Sequence, residues 1–340
     1  MRATIYDVAR EAGVSIAAVS QVVNGKGKIS EERRNEIMLV MERLQYQPSH
    51  IAAALTGKKT YTLGLLVPDI SNPFFAEIAR AVEDQGDHQG YSLVICSTDN
   101  KDEKLERYLS LLQQKSVDGM IIGTGLKKKE MLNQPIERSV PIVMIAREMP
   151  DLDVQTVVVD DFEGGSLAAR HLLDLGHSRI GVLAEHPNVS SSRERIRGFR
   201  QILTESGLEL PEHRVVASGA DLVKDGKRHA LELLQSEERP TALFCCNDLL
   251  AIGALQAAKE LEVRVPAELS IVGFDNTILA SVTDPPLTTI AQPTELMGKM
   301  AVDLLLGQLK KKPDIKQRTV LRPELVIRHS TAVPSTTPTI

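Results

Sequence analysis

Ile16, Ala17, Ser20 and Gln21 fall on the outward side of a short helical pattern. Together they offer a primary amide, a hydroxyl and two apolar contacts, which is the chemistry of recognition. A glutamine amide can pair bidentately with adenine N6 and N7, whereas an alanine offers only its methyl group. Groups that would support covalent or redox work lack the spacing such work needs. Gly123-Thr124-Gly125 has no third glycine of a dinucleotide fingerprint, the chain has no G-x-x-x-x-G-K-[ST], and Gly164-Gly165-Ser166 is not spaced as a nucleophile elbow. His171 and His177 flank a helix end with no third ligand at metal spacing and read as structural or surface residues. Cys96, Cys245 and Cys246 all sit in apolar strand-like runs and read as reduced core residues. No catalytic residue, metal site or cofactor is expected.

The elements that position the first group lie in residues 4–24. Thr4 caps a first helix whose inner face carries Ile5, Val8, Ala9 and Ala12. Gly13 can take the left-handed conformation that ends it, and Ser15 can cap a second helix carrying Val19, Val22 and Val23 inward. This is a helix-turn-helix pattern, in which the first helix crosses the DNA backbone and the second enters the major groove. Taken alone, it fits an ordinary αα-hairpin equally well. A third amphipathic helix starts at Ser30, with Ile37, Met38, Met41 and Leu44 as its apolar stripe. Pro48 then opens a short segment, 49–55, that ends at Thr56-Gly57. A helix that short is marginal in isolation and needs a partner.

Length and composition set the wider frame. A chain of 340 residues, 25% charged and 42% hydrophobic, is an ordinary globular protein with room for two or three domains. Its net charge of −5 argues against a protein that coats nucleic acid. The charge is unevenly placed, however. Residues 1–59 hold nine Lys or Arg against six Asp or Glu, a net of +3 that leaves −8 for the rest, so a basic head precedes an acidic body. Residues 1–10 have no apolar signal core, and no run of about 18 apolar residues occurs. A cytoplasmic protein with no membrane partner is expected.

From Tyr61 the pattern becomes α/β. Apolar strand runs at 62–68, 91–97, 119–123 and 141–146 alternate with helices over 73–89 and 101–116. The alternation then restarts, with strands at 156–159, 179–184, 242–246 and 270–274 and helices over 164–175, 193–205 and 248–261. Continuous apolar strands between amphipathic helices indicate parallel sheets covered on both faces, so two doubly wound α/β lobes are predicted. A helix over 297–309 and a strand over 319–327 follow, and 333–340 read as a disordered tail.

In this frame the chain resembles the LacI/GalR family of bacterial transcription regulators. The likeness runs through T-I-Y-D-V-A, V-S-x-x-V-S, P-S-H-I-A-A-A-L-T-G, V-P-D-I-S-N-P-F-F, H-L-L-D-L-G-H, N-D-L-L-A-I-G, V-P-x-x-L-S-I-V-G-F-D-N-T and P-P-L-T-T-I-A-Q-P, in order and over almost the whole chain. The resemblance implies a homodimeric regulator, most often a repressor, that binds a palindromic operator and sits on the nucleoid when bound. It implies a helix-turn-helix head at 1–47 and a hinge helix and linker at 48–60. The effector body would resemble periplasmic binding proteins, with an N-terminal lobe of 61–159 plus 292–321 and a C-terminal lobe of 160–291 plus 322–332. Three crossovers would fall near 159–162, 289–293 and 321–325. DNA contacts are implied at Thr4, Tyr6, Ser15, Ile16, Ala17, Ser20, Gln21, Asn24, Ala52 and Leu55, with Leu55 wedged into the minor groove from a hinge that orders on DNA. Position 21 is often arginine in relatives, so Gln21 predicts a half-site that departs from the common one at the facing base.

The resemblance also places a small-molecule effector between the lobes, at Asp69, Phe74, Phe75, Arg147, Arg195, Asn247, Asp275 and Gln292. Carboxylate, amide, forked guanidinium and aromatic face together suit a sugar-like, polyhydroxylated ligand. Sugar-binding relatives often carry Asp-Arg where this chain has Ala146-Arg147, so one hydroxyl-binding carboxylate is absent. Two alternatives stay open: an anionic ligand held by Arg147 and Arg195, and control by a phosphorylated protein docking outside the cleft. A stand-alone solute-binding protein would carry no helix-turn-helix.

Overall fold

The computed structural model describes residues 3–23, 29–46, 59–125, 129–137, 140–149, 152–219, 221–310 and 318–335. The chain divides into two compact units, residues 1–60 and 61–340.

In the first unit, helices α1 (Ile5–Glu11), α2 (Ile16–Val23) and α3 (Glu31–Arg43) enclose Val8, Ala9, Val19, Val22 and Ile37. Thr4 and Asp7 form a capping box at the start of α1, and Gly13, at φ +59°, makes the turn into α2. Ser15 Oγ accepts the Ala18 amide at 3.2 Å. One expectation needs correcting. Met38 is 53% exposed, and the inner stripe of α3 is Ile37, Val40, Met41 and Leu44. At 3.6 residues per turn, position 38 points about 100° away from 37, whereas 40, 41 and 44 return to the same face.

Among the described residues, the second unit contains two six-stranded sheets. The first is built from β1 (Thr62–Val67), β2 (Ser92–Ser97), β3 (Gly119–Ile122), β4 (Ile142–Ile145), β5 (Gln155–Val159) and, late in the chain, Arg318–Leu321. All its pairings are parallel. Helices α4 (Pro73–His88) and α5 (Asp102–Gln114) supply apolar faces to its two sides. The second sheet joins β6 (Ile180–Ala184), β7 (Val215–Ala217), β8 (Ala242–Cys245), β9 (Ser270–Asp275), β10 (Thr288–Ala291) and Glu324–Val326. Among the described residues, only the Glu324–Val326 pairing with β10 is antiparallel here. The core strands are buried from end to end, which is why they read as unbroken apolar runs.

The chain crosses between sheets after β5, after β10 and between Leu321 and Glu324. The strand expected over 319–327 is therefore two strands, one in each sheet. Pro323 lies between them and has no amide proton to continue a ladder. The helix Leu222–Leu234 and strand β7, which the sequence reading passed over, complete the second lobe. That helix buries Gly226, His229, Ala230, Leu233 and Leu234, with Gly226 against the backbone of Leu250. His171 and His177 are structural: His177 bonds Thr241, Ser270 and the Ala332 carbonyl, and His171 bonds Thr331.

Candidate functional site

Two surfaces collect the residues singled out above. On the head, Thr4, Tyr6, Ser15, Ile16, Ala17 and Gln21 are exposed and Ser20 is half-buried. Tyr6 and Ile16 are large apolar groups left 67% and 42% exposed. The outward face of α2 is thus presented to solvent with Val19 and Val22 fixed beneath it. Asn24, Ala52 and Leu55 lie outside the described residues.

The second surface is a narrow crevice in the body, lined by Asn72, Phe74, Phe75, Ala146, Arg147, Glu185, Ser191, Arg195, Asn247, Asp275 and Gln292. Nearly every lining residue follows the carboxyl end of a strand: Asn72 to Phe75 after β1, Arg147 after β4, Glu185 after β6, Asn247 after β8, Asp275 at the end of β9, and Gln292 after β10. Open parallel sheets place their binding crevices at this end. Of the predicted positions, Asp69 is not among the lining residues. It is exposed and accepts hydrogen bonds from the Ser71 amide and hydroxyl, each at 2.8 Å.

Local chemistry explains how each group is held. Asn72 caps α4 by accepting the Phe74 amide, and Pro73 occupies the first helical position, so both phenylalanines enter the cleft on a rigid turn. Asn247 caps helix Asp248–Glu260 by accepting the Leu250 amide at 2.8 Å. Asp275 has φ +111°, a conformation that costs an ordinary residue about 1–3 kcal/mol. The turn is supported from below by Asp248, which accepts the Thr277 amide and hydroxyl and the Thr289 hydroxyl. Burial pushes the Asp248 carboxyl up to about 6 despite these bonds.

Arg195 is the most heavily engaged group in the cleft. Its Nε donates to Asp161 at 2.7 Å, its Nη1 donates to the Cys246 carbonyl and lies 3.7 Å from Asp275, and its guanidinium stacks 3.6 Å from the Phe274 ring centre. Burial works against its charge, but Asp161, Asp275 and Glu185 outweigh that cost and hold its pKa above the ordinary arginine value. Burial likewise pushes the carboxyls of Asp161 and Asp275 upward, with Arg195 pulling both back. Expected to fork onto a ligand, Arg195 instead spends these nitrogens on the protein. It reaches this position because helices Asp161–Asp174 and Ser190–Glu205 pack backbone to backbone, where a Cβ on Gly165 would overlap the Arg195 carbonyl.

Two hydrogen bonds join the lobes beside the cleft. Arg147 Nη1 donates to Ser191 Oγ at 2.6 Å, and the Ile278 amide donates to Glu77 Oε1 at 3.3 Å. Glu77 also accepts the Thr294 hydroxyl, and burial raises its pKa.

The chain matches known proteins in both of its units. Residues 4–49 match the bacterial regulatory proteins of the lacI family, and residues 169–331 match the periplasmic binding protein-like domain. Over 335 residues the chain is 44% identical to the HTH-type transcriptional regulator DegA of Bacillus subtilis (strain 168), covering 98% of this chain and 99% of that one. The chain belongs to the LacI family. It is a DNA-binding transcriptional regulator with a periplasmic-binding-protein-like ligand domain. Within the family it is also 36% identical to the ribose operon repressor of Haemophilus influenzae (strain ATCC 51907 / DSM 11121 / KW20 / Rd), over 96% of this chain and 98% of that protein. Its fold matches the lac repressor dimer bound to operator and the anti-inducer ONPF with a TM-score of 0.87 at 29% identity, covering 98% of this chain and all of the other.

Three lining residues of this LacI-family cleft escaped the sequence reading, Asn72, Glu185 and Ser191, as did Asp161, the ion-pair partner of Arg195. Asp161 and Glu185 had a usable signal, since each stands one or two positions past a buried strand run, where a carboxylate faces the crevice. Ser191 sits in a run of three serines and carries no such mark.

Proposed function

We propose that the chain acts as a homodimer on a near-palindromic operator, represses transcription there, and is controlled by a small polyhydroxylated ligand seated between its lobes. The observation that carries this reading is one cavity lined from both lobes by carboxylate, amide, guanidinium and paired phenylalanine groups. A ligand there touches both lobes at once, so it favours whichever lobe angle suits it best. The Arg147–Ser191 and Glu77–Ile278 bonds would be made or broken with that angle. Leu55 in the hinge converts the angle into grip on the minor groove. The sign of the response follows from which arrangement the ligand prefers. Binding and release without turnover is the whole of this chemistry, and the cytoplasm, where the operator is, is the place for it.

The test is selection of an operator from a random library with the purified protein, followed by titration with and without candidate sugars. The expected half-site carries adenine opposite Gln21. Recovery of the guanine-containing half-site common among relatives would sink the Gln21 assignment. Leu55→Ala should weaken operator binding, and unchanged affinity would contradict the wedge.

A further inference from the structure

A ligand carrying phosphate would need a guanidinium, and Arg147 and Arg195 are the two among the residues lining the cleft. Arg195 is already occupied by Asp161, Asp275 and the Cys246 carbonyl, under the ring of Phe274. Arg147 already donates to Ser191. Two carboxylates, Glu185 and Asp275, line the cleft with these cations, and a third, Asp161, pairs with Arg195 from outside the lining; Glu185 is half-buried at the cleft wall beyond β6. Glu185 Oε2 accepts the Ser192 hydroxyl at 3.2 Å, which leaves acceptor capacity on the carboxylate. Its charge is also felt at Arg195 and Asp275, so it acts on the interior of the cleft.

We propose that Glu185 sets the charge class of the effector: the cleft takes a polyhydroxylated ligand without negative charge, whose hydroxyls donate to Glu185, and it rejects phosphorylated or acidic sugars. The proposal rests on the reading of the cleft as the effector site. A phosphate dianion would bring two more negative charges to a place where Arg195 is already neutralised by Asp161 and Asp275 and where Glu185 shares the lining with the remaining cation, Arg147. An uncharged sugar meets no such penalty. One hydroxyl can donate to Glu185 while another accepts from Arg147, and Phe74 and Phe75 provide an apolar wall. Glu185 thereby supplies the carboxylate that Ala146-Arg147 lacks, from the opposite lobe.

Isothermal titration of the full-length protein with a panel of pentoses, hexoses and disaccharides, each paired with its own phosphate ester, tests the idea. At least one neutral sugar should bind, with its ester at least about tenfold weaker. Glu185→Gln should weaken the neutral sugar about tenfold, the value of a hydrogen bond to a charged group, and narrow the gap to the ester. An ester that binds as tightly as its parent sugar, or a ratio unmoved by Glu185→Gln, overturns the assignment. If no pair binds, or if binding is untouched by both Phe75→Ala and Asn247→Ala, the cleft reading itself fails and the charge rule falls with it.

Discussion

The outward face of α2 and the cleft between the lobes, the two proposed recognition surfaces, are built on opposite principles. On α2 the reading groups stand exposed on a helix whose stability comes from the buried Val19 and Val22 behind them. In the cleft the recognising groups are themselves structural: Arg195, Asn247, Asp275 and Gln292 are all buried and hydrogen-bonded or ion-paired to the protein. The head can therefore change what it reads without changing how it folds, whereas the cleft cannot. Groups in the cleft are held in place before a ligand arrives, which lowers the ordering cost of binding.

The contrast is most sharply tested at Asp161. Removing its carboxylate by Asp161→Ala leaves the Arg195 charge buried without its nearest partner, and breaking such a pair costs about 3–5 kcal/mol. Denaturant unfolding of the body should show a loss of that size, and Asp161→Asn a smaller one; a loss under about 1 kcal/mol for Asp161→Ala would mean that the pair is not a structural element. A smaller effect is expected at Thr4, which caps α1 as well as being an expected DNA contact. Thr4→Ala should cost the head about 1 kcal/mol, read as a lower melting temperature of the head unit. The smallest stability effect belongs to Gln21. Because its side chain is exposed, Gln21→Ala should leave head stability within about 0.5 kcal/mol while relaxing operator preference at the facing base. A large drop in melting temperature there would erase the distinction between the two surfaces.

Much of the fold was legible in the sequence because parallel strands buried on both faces write themselves as apolar runs. Residues 62–67, 142–145 and 242–245 are such cases. Legibility failed where burial used other means. The Leu222–Leu234 helix packs Gly226 against the Leu250 backbone and buries His229 beside Leu233 and Leu234, and the final strand run was divided between sheets by a proline-marked crossing. The cleft was half legible. Residues that cap helices or end strands, such as Asn247 and Asp275, carry a local mark, but Ser191 is a serine among serines until Arg147 from the other lobe is brought to it.

The sequence by itself determined the alternation of strands and helices, the turn at Gly13 and the outward set Ile16, Ala17, Ser20 and Gln21, because each depends on neighbours a few positions away. Tertiary structure decided the state of the charges. Asp161 and Arg195 are 34 positions apart, and Asp275 is farther still, yet sheet order brings them to one crevice. Whether a buried arginine is free for a ligand or already satisfied depends on those distant partners, and local periodicity carries no record of them.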